Sequence, residues 1–234
     1  MPNTEEIKAF FESWEIYQKI ISHNYMMHRE IEEILRSQFK ELKLDKPAIL
    51  EIGCGDSHII SRIAPLVPIK SYLGIDLSHM ALDFALKNLQ GKIPKIELRQ
   101  GEMLEQVAKI EDAQFDLIIA GYTIHHLDTD KKTALLSNLE TLLSPHGALL
   151  IYDVLTREGE SNAAHIKRSL HLYETTWTKI APEQIASLKT HVQENDLTES
   201  WSTWQQIATQ TSLPKQSLLY TDPNEVFGLM RFQR

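Results

Sequence analysis

Apolar residues recur at helical spacing through the first part of the chain, from Glu5 to Leu42. "IKAFFESWEIYQKI" and "REIEEILRSQFKEL" place them three and four positions apart with charges between, which predicts amphipathic helices. Lys46-Pro47 breaks that rhythm, and "AILEIG", a short apolar run bounded by Pro and Gly, predicts a fully buried strand. The two patterns then alternate. "HIISRIAPLV" predicts a helix, "SYLGIDLS" a strand, and "SHMALDFALKNL" a helix whose C-cap glycine is Gly91. "KIELRQGEM" alternates as a strand does; a short linker helix, the strand "FDLIIAGY" and the helix "KKTALLSNLETLL" follow, and the turn "SPHG" opens a fifth strand, "GALLIYDV". Strands alternating with helices predict an α/β fold, a parallel sheet with helices on both faces.

Beyond Asp153 the alternation stops. From Gly159 to about Gln210 the pattern is helical, His-containing and Trp-rich, with a break at Ala181-Pro182. "QSLLYTDPNEVFGLMRFQ" predicts two strands around "TDPN", an antiparallel hairpin closing the sheet. The expected organisation is an N-terminal helical cap over 1–45, an α/β core over 46–155, a helical lid or substrate region over 156–212 and the closing hairpin over 213–234.

Composition narrows the function classes. At 234 residues the chain is one large domain, or one domain with a cap. The lone Cys54 excludes an intramolecular disulfide and a Cys-based zinc site, and it fits a reducing, cytoplasmic setting. "MPNTEEIKAF" lacks the cationic start of a secretory signal, and no apolar run approaches the ~20 residues that span a bilayer. A net charge of −8 argues against nucleic acid as a partner, since that binding rests on neutralising phosphates. Homodimerisation is left open.

The candidate chemistry sits at the strand ends. In an open α/β sheet, ligands bind beyond the carboxyl ends of the strands. "AILEIGCGDS" puts Gly53 and Gly55 there, flanking Cys54, in a chain with only 9 glycines. A dinucleotide fingerprint needs a third glycine three positions on, where this chain has His58, so a nicotinamide oxidoreductase is disfavoured. The next strand ends present Asp76, then Gly101-Glu102-Met103, then Gly121-Tyr122. A carboxylate at the second can accept from ribose hydroxyls, and one at the third from an exocyclic adenine amine. That is a nucleoside site with no place for pyrophosphate.

In these residues the chain resembles the class I S-adenosylmethionine-dependent methyltransferases. "ILEIGCGDS", "YLGIDLS", "RQGEM", "FDLIIAGYTIHHL" and "LLSPHGALLIYD" are similar, in order, to the family's successive motifs over roughly residues 47–155. Ser57 stands where the family usually has a further glycine. "AGYTIHH" lacks the Asn/Asp-Pro-Pro-aromatic sequence of adenine or glutamine amino-methylation. The resemblance implies a Rossmann-like, mostly parallel seven-stranded sheet and S-adenosylmethionine as cofactor, with S-adenosylhomocysteine as product. It implies that Glu51 orients the loop and that Gly53, Cys54 and Gly55 face the methionine portion. Asp76 then holds ribose, Leu77 and Met80 pack on adenine, Gly101, Glu102 and Met103 bracket the base edge, and Gly121 lies near the sulfonium.

Methyl transfer needs an acceptor held in line with the S–CH3 bond and, where it carries a proton, a base. Tyr122, His125 and His126 at the end of the fourth strand are the candidate catalytic residues. In "NYMMHRE", Tyr25, His28 and Arg29 fall on neighbouring helical turns, and His28 or Arg29 is the expected partner of the cofactor's carboxylate. His165 and His171 lack the spacing for a shared metal, so no metal is expected. Trp177, Trp201 and Trp204 read as lid core. The extra helices predict a small, enclosed acceptor. The alternatives are RNA or protein methylation, and an inactive subunit or sensor that binds S-adenosylmethionine.

Overall fold

The computed structural model describes residues 14–111 and 114–234; the first part of the expected N-terminal helix, up to residue 13, lies outside the described residues. A helix α1 over 14–22 is followed by a turn and by α2 (His28–Glu41). The helical rhythm of the sequence runs through this junction, but the chain does not: Asn24 and Met27 take left-handed φ of 58° and 56°, and α2 starts afresh at His28.

The alternating region forms β1 (Ala48–Ile52), α3 (His58–Ile63), β2 (Ser71–Asp76), α4 (His79–Leu89), β3 (Ile96–Gln100), α5 (Met103–Ala108), β4 (Phe115–Gly121), α6 (Thr129–Thr141) and β5 (Leu143–Thr156). Next come α7 (Asn162–Thr176), α8 (Pro182–Asn195), the two-residue β6 (Glu199–Ser200), α9 (Trp201–Thr209), β7 (Lys215–Thr221) and β8 (Phe227–Gln233). The sheet order is β3-β2-β1-β4-β5-β8-β7, with β6 pairing beside β5. Strands β1 to β5 are parallel, and β8 runs antiparallel to both β5 and β7. This is the expected Rossmann-like architecture with its closing hairpin. Its strand order reverses between β1 and β4, which opens a crevice at their carboxyl ends.

Alternate residues of the central strands feed opposite faces of the sheet. Leu50, Ile52, Ile118, Ala120 and Ile151 pack toward α6 and α9, while Ile49, Leu117, Ile119 and Leu150 pack toward α2, α3 and α4. Burial on both faces is why these strands read as continuous apolar runs rather than alternating ones. A third cluster joins Ile20 of α1 to Tyr173 and Trp177, Ile185 of α8, and Phe227 of β8. Trp177 is thus in the helical cap as expected. Trp204 instead joins the main core with α9, and Trp201 packs against that same core.

The expected turn "SPHG" is a bulge inside β5. Pairing jumps from Phe115–Leu143 to Leu117–Ala148, and Asp116 holds the excursion by accepting from Ser144 Oγ at 3.0 Å and from the Ala48 amide at 2.9 Å. Pro182 opens α8, as the break at Ala181-Pro182 predicts. Among the described residues no helix is long and apolar enough to cross a membrane.

Candidate active site

The turn after β1 is built around buried polar groups. Glu51 is 3% exposed, and the Tyr72 hydroxyl donates to its carboxylate; Ser57 Oγ lies 2.6 Å from the same hydroxyl. Burial pushes the Glu51 carboxyl up to about 8 against the pull of the Tyr72 hydrogen bond, with Asp56 and Asp76 adding to the rise. Ser57, where the family has glycine, takes a left-handed φ of 54° as the N-cap of α3. Its small side chain fits because it turns inward to Tyr72.

Two glycines shape the cradle. Gly53 has φ +62°, and a side chain there would run into Thr123. Gly55 has φ +52°, and a Cβ at this position would stand in open space. The Gly55 amide donates to Asp76 Oδ2 and the Ser78 amide to Asp76 Oδ1, both at 2.8 Å. One carboxylate at the end of β2 therefore fixes the β1 loop and the start of α4. Each of its oxygens keeps a lone pair for a ligand. Burial raises the Asp76 carboxyl above the ordinary Asp range. Beside it Leu77 is 66% exposed, and Met80 is half-buried on the first turn of α4.

At the end of β3 the Gly101 amide donates to the Asp76 carbonyl at 3.0 Å. Glu102 caps α5, accepting from the Glu105 amide at 3.0 Å, and Met103 packs against the main core. At the end of β4, any side chain at Gly121 would enter the Tyr152 ring. Tyr122 follows with φ 47°, its hydroxyl donating to the Met26 carbonyl and its ring edge-on to Tyr152 at 5.2 Å.

A cavity of about 140 Å³ lies over this junction, lined by Tyr17 of α1, His28, Glu51, Gly53, Gly55 and Tyr122 among others. A second, of about 380 Å³, adjoins it through His28 and His58 and reaches Arg29 and Arg62. His28 is 6% exposed, and its Nδ1 has no hydrogen-bond partner. Burial, with the His58 charge behind it, lowers its pKa to about 4, so the ring is neutral near pH 7.

Tyr25, His28 and Arg29 do not share a helix face, because the turn before α2 separates the first from the other two. Tyr25 stacks on Trp177 at 5.2 Å and its hydroxyl accepts from the Lys179 amide at 2.9 Å. Arg29 is exposed and donates to the Ser22 carbonyl at 3.0 Å.

His125 and His126 lie in a short turn, Ile124–His126, and neither lines the cavity with Tyr122. His125 is buried, and its Nδ1–H donates to Asp153 Oδ1 at 2.5 Å. The other Asp153 oxygen accepts from the amides of Ile124 and His125 at 3.1 and 3.2 Å. Burial works to discharge His125, yet the Asp153 charge prevails and raises its pKa; burial likewise opposes ionisation of Asp153, which His125 holds below the usual carboxylate range. Of the three candidate catalytic residues, His125 is thus held through its Nδ1 by Asp153. His126 is lowered to about 4 by burial and by His125.

Several cavity residues were not singled out from sequence. Tyr152 is visible only as part of an apolar strand, and Tyr17 only as part of an amphipathic helix. Asp56, inside "GCGDS", does not line the cavity but holds Tyr17, which does: its side chain accepts from the Tyr17 hydroxyl at 3.4 Å and its carbonyl from Asn88 at 2.9 Å.

Residues 50–149 match the methyltransferase-domain family. A malonyl-[acyl-carrier protein] O-methyltransferase of Halalkalibacterium halodurans is 27% identical over 144 residues, which cover 61% of this chain and 52% of that protein. The chain thus spans about half the length of the curated relatives it matches. Among solved structures, an S-adenosylmethionine-dependent methyltransferase from Clostridium acetobutylicum superposes with a TM-score of 0.63 at 11% identity, covering 97% of this chain and all of that one. The DhpI complex with S-adenosylhomocysteine gives 0.60 at 12% identity, covering 96% and 93%. These likenesses at low identity carry the fold. The matched stretch runs from Leu50 in β1 to Leu149 in β5 and holds the strand ends just described; this part of the chain is a methyltransferase domain, as the resemblance to the class I S-adenosylmethionine-dependent methyltransferases implies.

Proposed function

We propose that this chain transfers a methyl group from S-adenosylmethionine to a small-molecule acceptor held between the strand ends and the helical cap. The observation that carries the reading is the crevice between β1 and β4. Bare backbone at Gly53 and Gly55 meets there a carboxylate, Asp76, whose oxygens still have capacity to accept.

The residues fit the cofactor in type. The open space at Gly55 is a cradle that any side chain would fill. Asp76 binds the ribose hydroxyls and the exposed Leu77 offers an apolar face to adenine, with Met80 and Met103 beside it. Glu102 is already engaged as a helix cap, so its backbone and one free oxygen are what remain for the base edge. When bound, S-adenosylmethionine supplies a methyl group already activated by its sulfonium. The chain's task is then to orient the acceptor and exclude water. Tyr17, Tyr122 and Tyr152 wall the cavity, and Tyr122 is itself tied to the Met26 carbonyl. His28, neutral and with an unpartnered nitrogen at the cavity, offers the acceptor a hydrogen-bonding partner.

The cap of α1, α7 and α8 favours a small acceptor over a macromolecule, and the net charge of −8 weighs against RNA. The single cysteine, Cys54, supports a reducing, cytoplasmic setting for the reaction. The test joins calorimetry with turnover. The full chain should bind S-adenosylhomocysteine saturably at one site, and labelled S-adenosylmethionine should pass its methyl to members of a panel of small oxygen, nitrogen and sulfur nucleophiles. No heat with either form of the cofactor overturns the reading of the crevice. Binding without transfer to any acceptor overturns the enzyme in favour of a sensor.

A further inference from the structure

Outside the cavity, two histidines and a carboxylate converge where the end of β4 meets the end of α8. Asp196 Oδ1 lies 3.7 Å from His125 Nε2 and 3.8 Å from His126 Nδ1. These three donor atoms all lie within 4.8 Å of one another. Asp196 is only 8% exposed, yet its Oδ1 has no hydrogen-bond partner. Separations of 3.7 and 3.8 Å are too long for hydrogen bonds. They are close to the spacing of about 3.4 Å between donors held about 2.1 Å from a tetrahedral ion.

The surroundings are those of a ligand set. Asp153 takes the Nδ1 proton of His125, which leaves Nε2 as the nitrogen facing Asp196. A carboxylate behind a histidine in this way fixes the tautomer and aims the ring at a metal. Charge balance points the same way. Asp153 is paired with His125, which leaves Asp196 as the buried carboxylate whose Oδ1 has no hydrogen-bond partner, while the nearby Lys132 ammonium is already engaged by the Leu197 carbonyl and by Glu199 at 3.1 Å. His126 is the exposed member of the group, and the ring of His191 stands edge-on to it at 5.4 Å. That side is open for the ion's entry and for a water ligand.

We propose that His125 Nε2, His126 Nδ1 and Asp196 Oδ1 form a binding site for a divalent transition-metal ion, zinc by the chemistry of its ligands. The ion cross-links the turn after β4 to the end of α8, a junction also held by the main-chain bond from the Leu197 amide to the His125 carbonyl at 2.7 Å and by a long contact of 3.4 Å from His126 Nδ1 to the Asn195 carbonyl, which His126 gives up when its Nδ1 takes the ion. Its role is to fasten the helical cap to the core. The site stands apart from the methyl-transfer reading and does not depend on it.

The test uses the full chain stripped by a chelator and titrated with zinc chloride against a chromogenic competitor, with cobalt(II) absorption as a report of coordination. The expected result is one equivalent bound per chain, a raised Tm, and a cobalt spectrum typical of tetrahedral nitrogen and oxygen ligation. Asp196→Asn and His126→Gln should each weaken binding by about tenfold or more. His126→Gln should keep the metal-free Tm of the parent, since its side chain is partly in solvent, and lose the rise with zinc. Absence of stoichiometric uptake overturns the proposal. So does uptake that both variants retain at parental affinity, which would place the ion on others of the 10 histidines.

Discussion

Asp76→Asn separates binding from folding at the centre of the crevice. The carboxylate holds two backbone amides at 2.8 Å, from Gly55 and Ser78, and it is the group proposed to accept from ribose. An asparagine keeps the volume but has one acceptor, so its amide nitrogen must face one of those N–H donors. In the free protein the loss is small. One backbone hydrogen bond is worth about 1 kcal/mol, and burial already disfavours the Asp76 charge, so removing that charge offsets part of it. Cofactor affinity should suffer more. A hydrogen bond to a charged acceptor contributes about 1.5–3 kcal/mol, which is roughly a 10–150-fold rise in Kd. Calorimetry with S-adenosylhomocysteine measures the second quantity and urea unfolding the first. A variant that folds like the parent and binds with an unchanged Kd would refute the placement of the ribose.

Other predictions reach the rest of the fold. Gly121→Ala puts a methyl into the Tyr152 ring and should cost about 1–3 kcal/mol, read as a lower urea midpoint at unchanged m-value; a midpoint equal to the parent's would contradict the close packing. Lys132→Ala removes a fully buried ammonium and strands the Leu197 carbonyl and the Glu199 carboxylate, so unfolding should become easier by about 3 kcal/mol. His28 has a folded pKa of about 4 against 6.5 unfolded, so the unfolded chain binds more protons between those values and stability must fall as pH drops through them. His28→Phe should remove up to about 3 kcal/mol of the difference between urea unfolding at about pH 7 and about pH 4.5; the same pH slope in parent and variant would show that His28 is not buried neutral.

The fold was legible because its signals are local and redundant. The apolar runs from Ala48, Ser71 and Phe115 are strands buried on both faces, and the helices between them carry their own punctuation, such as Gly91 after α4 and Pro182 opening α8. What went astray depended on partners far along the chain. "SPHG" has the composition of a turn, yet Asp116 and the neighbouring β4 hold it as a bulge within β5. Trp204 has the same helical spacing as a lid residue, and only the packing of α9 against Phe232 and the sheet shows that it belongs to the main core.

The site divides along the same line, and the division has a physical cause. Backbone-determined features, the glycines at the end of β1 and the acid at the end of β2, follow from strand ends that the periodicity locates. Side-chain roles do not, because a titratable group is defined by what surrounds it. "TIHH" presents two equivalent imidazoles to a reader of sequence. In the fold the first is locked by Asp153 and both face Asp196, which lies 70 residues on from His126 in a stretch with no motif. His28 is expected from sequence as a partner of the cofactor's carboxylate, and only the fold shows that it lines the cavity neutral and with Nδ1 unpartnered, because burial disfavours its charge. The geometry of these histidines thus differs in a way their motif does not show: His125 beside the strand end is held by Asp153, and His28 from the cap lines the cavity.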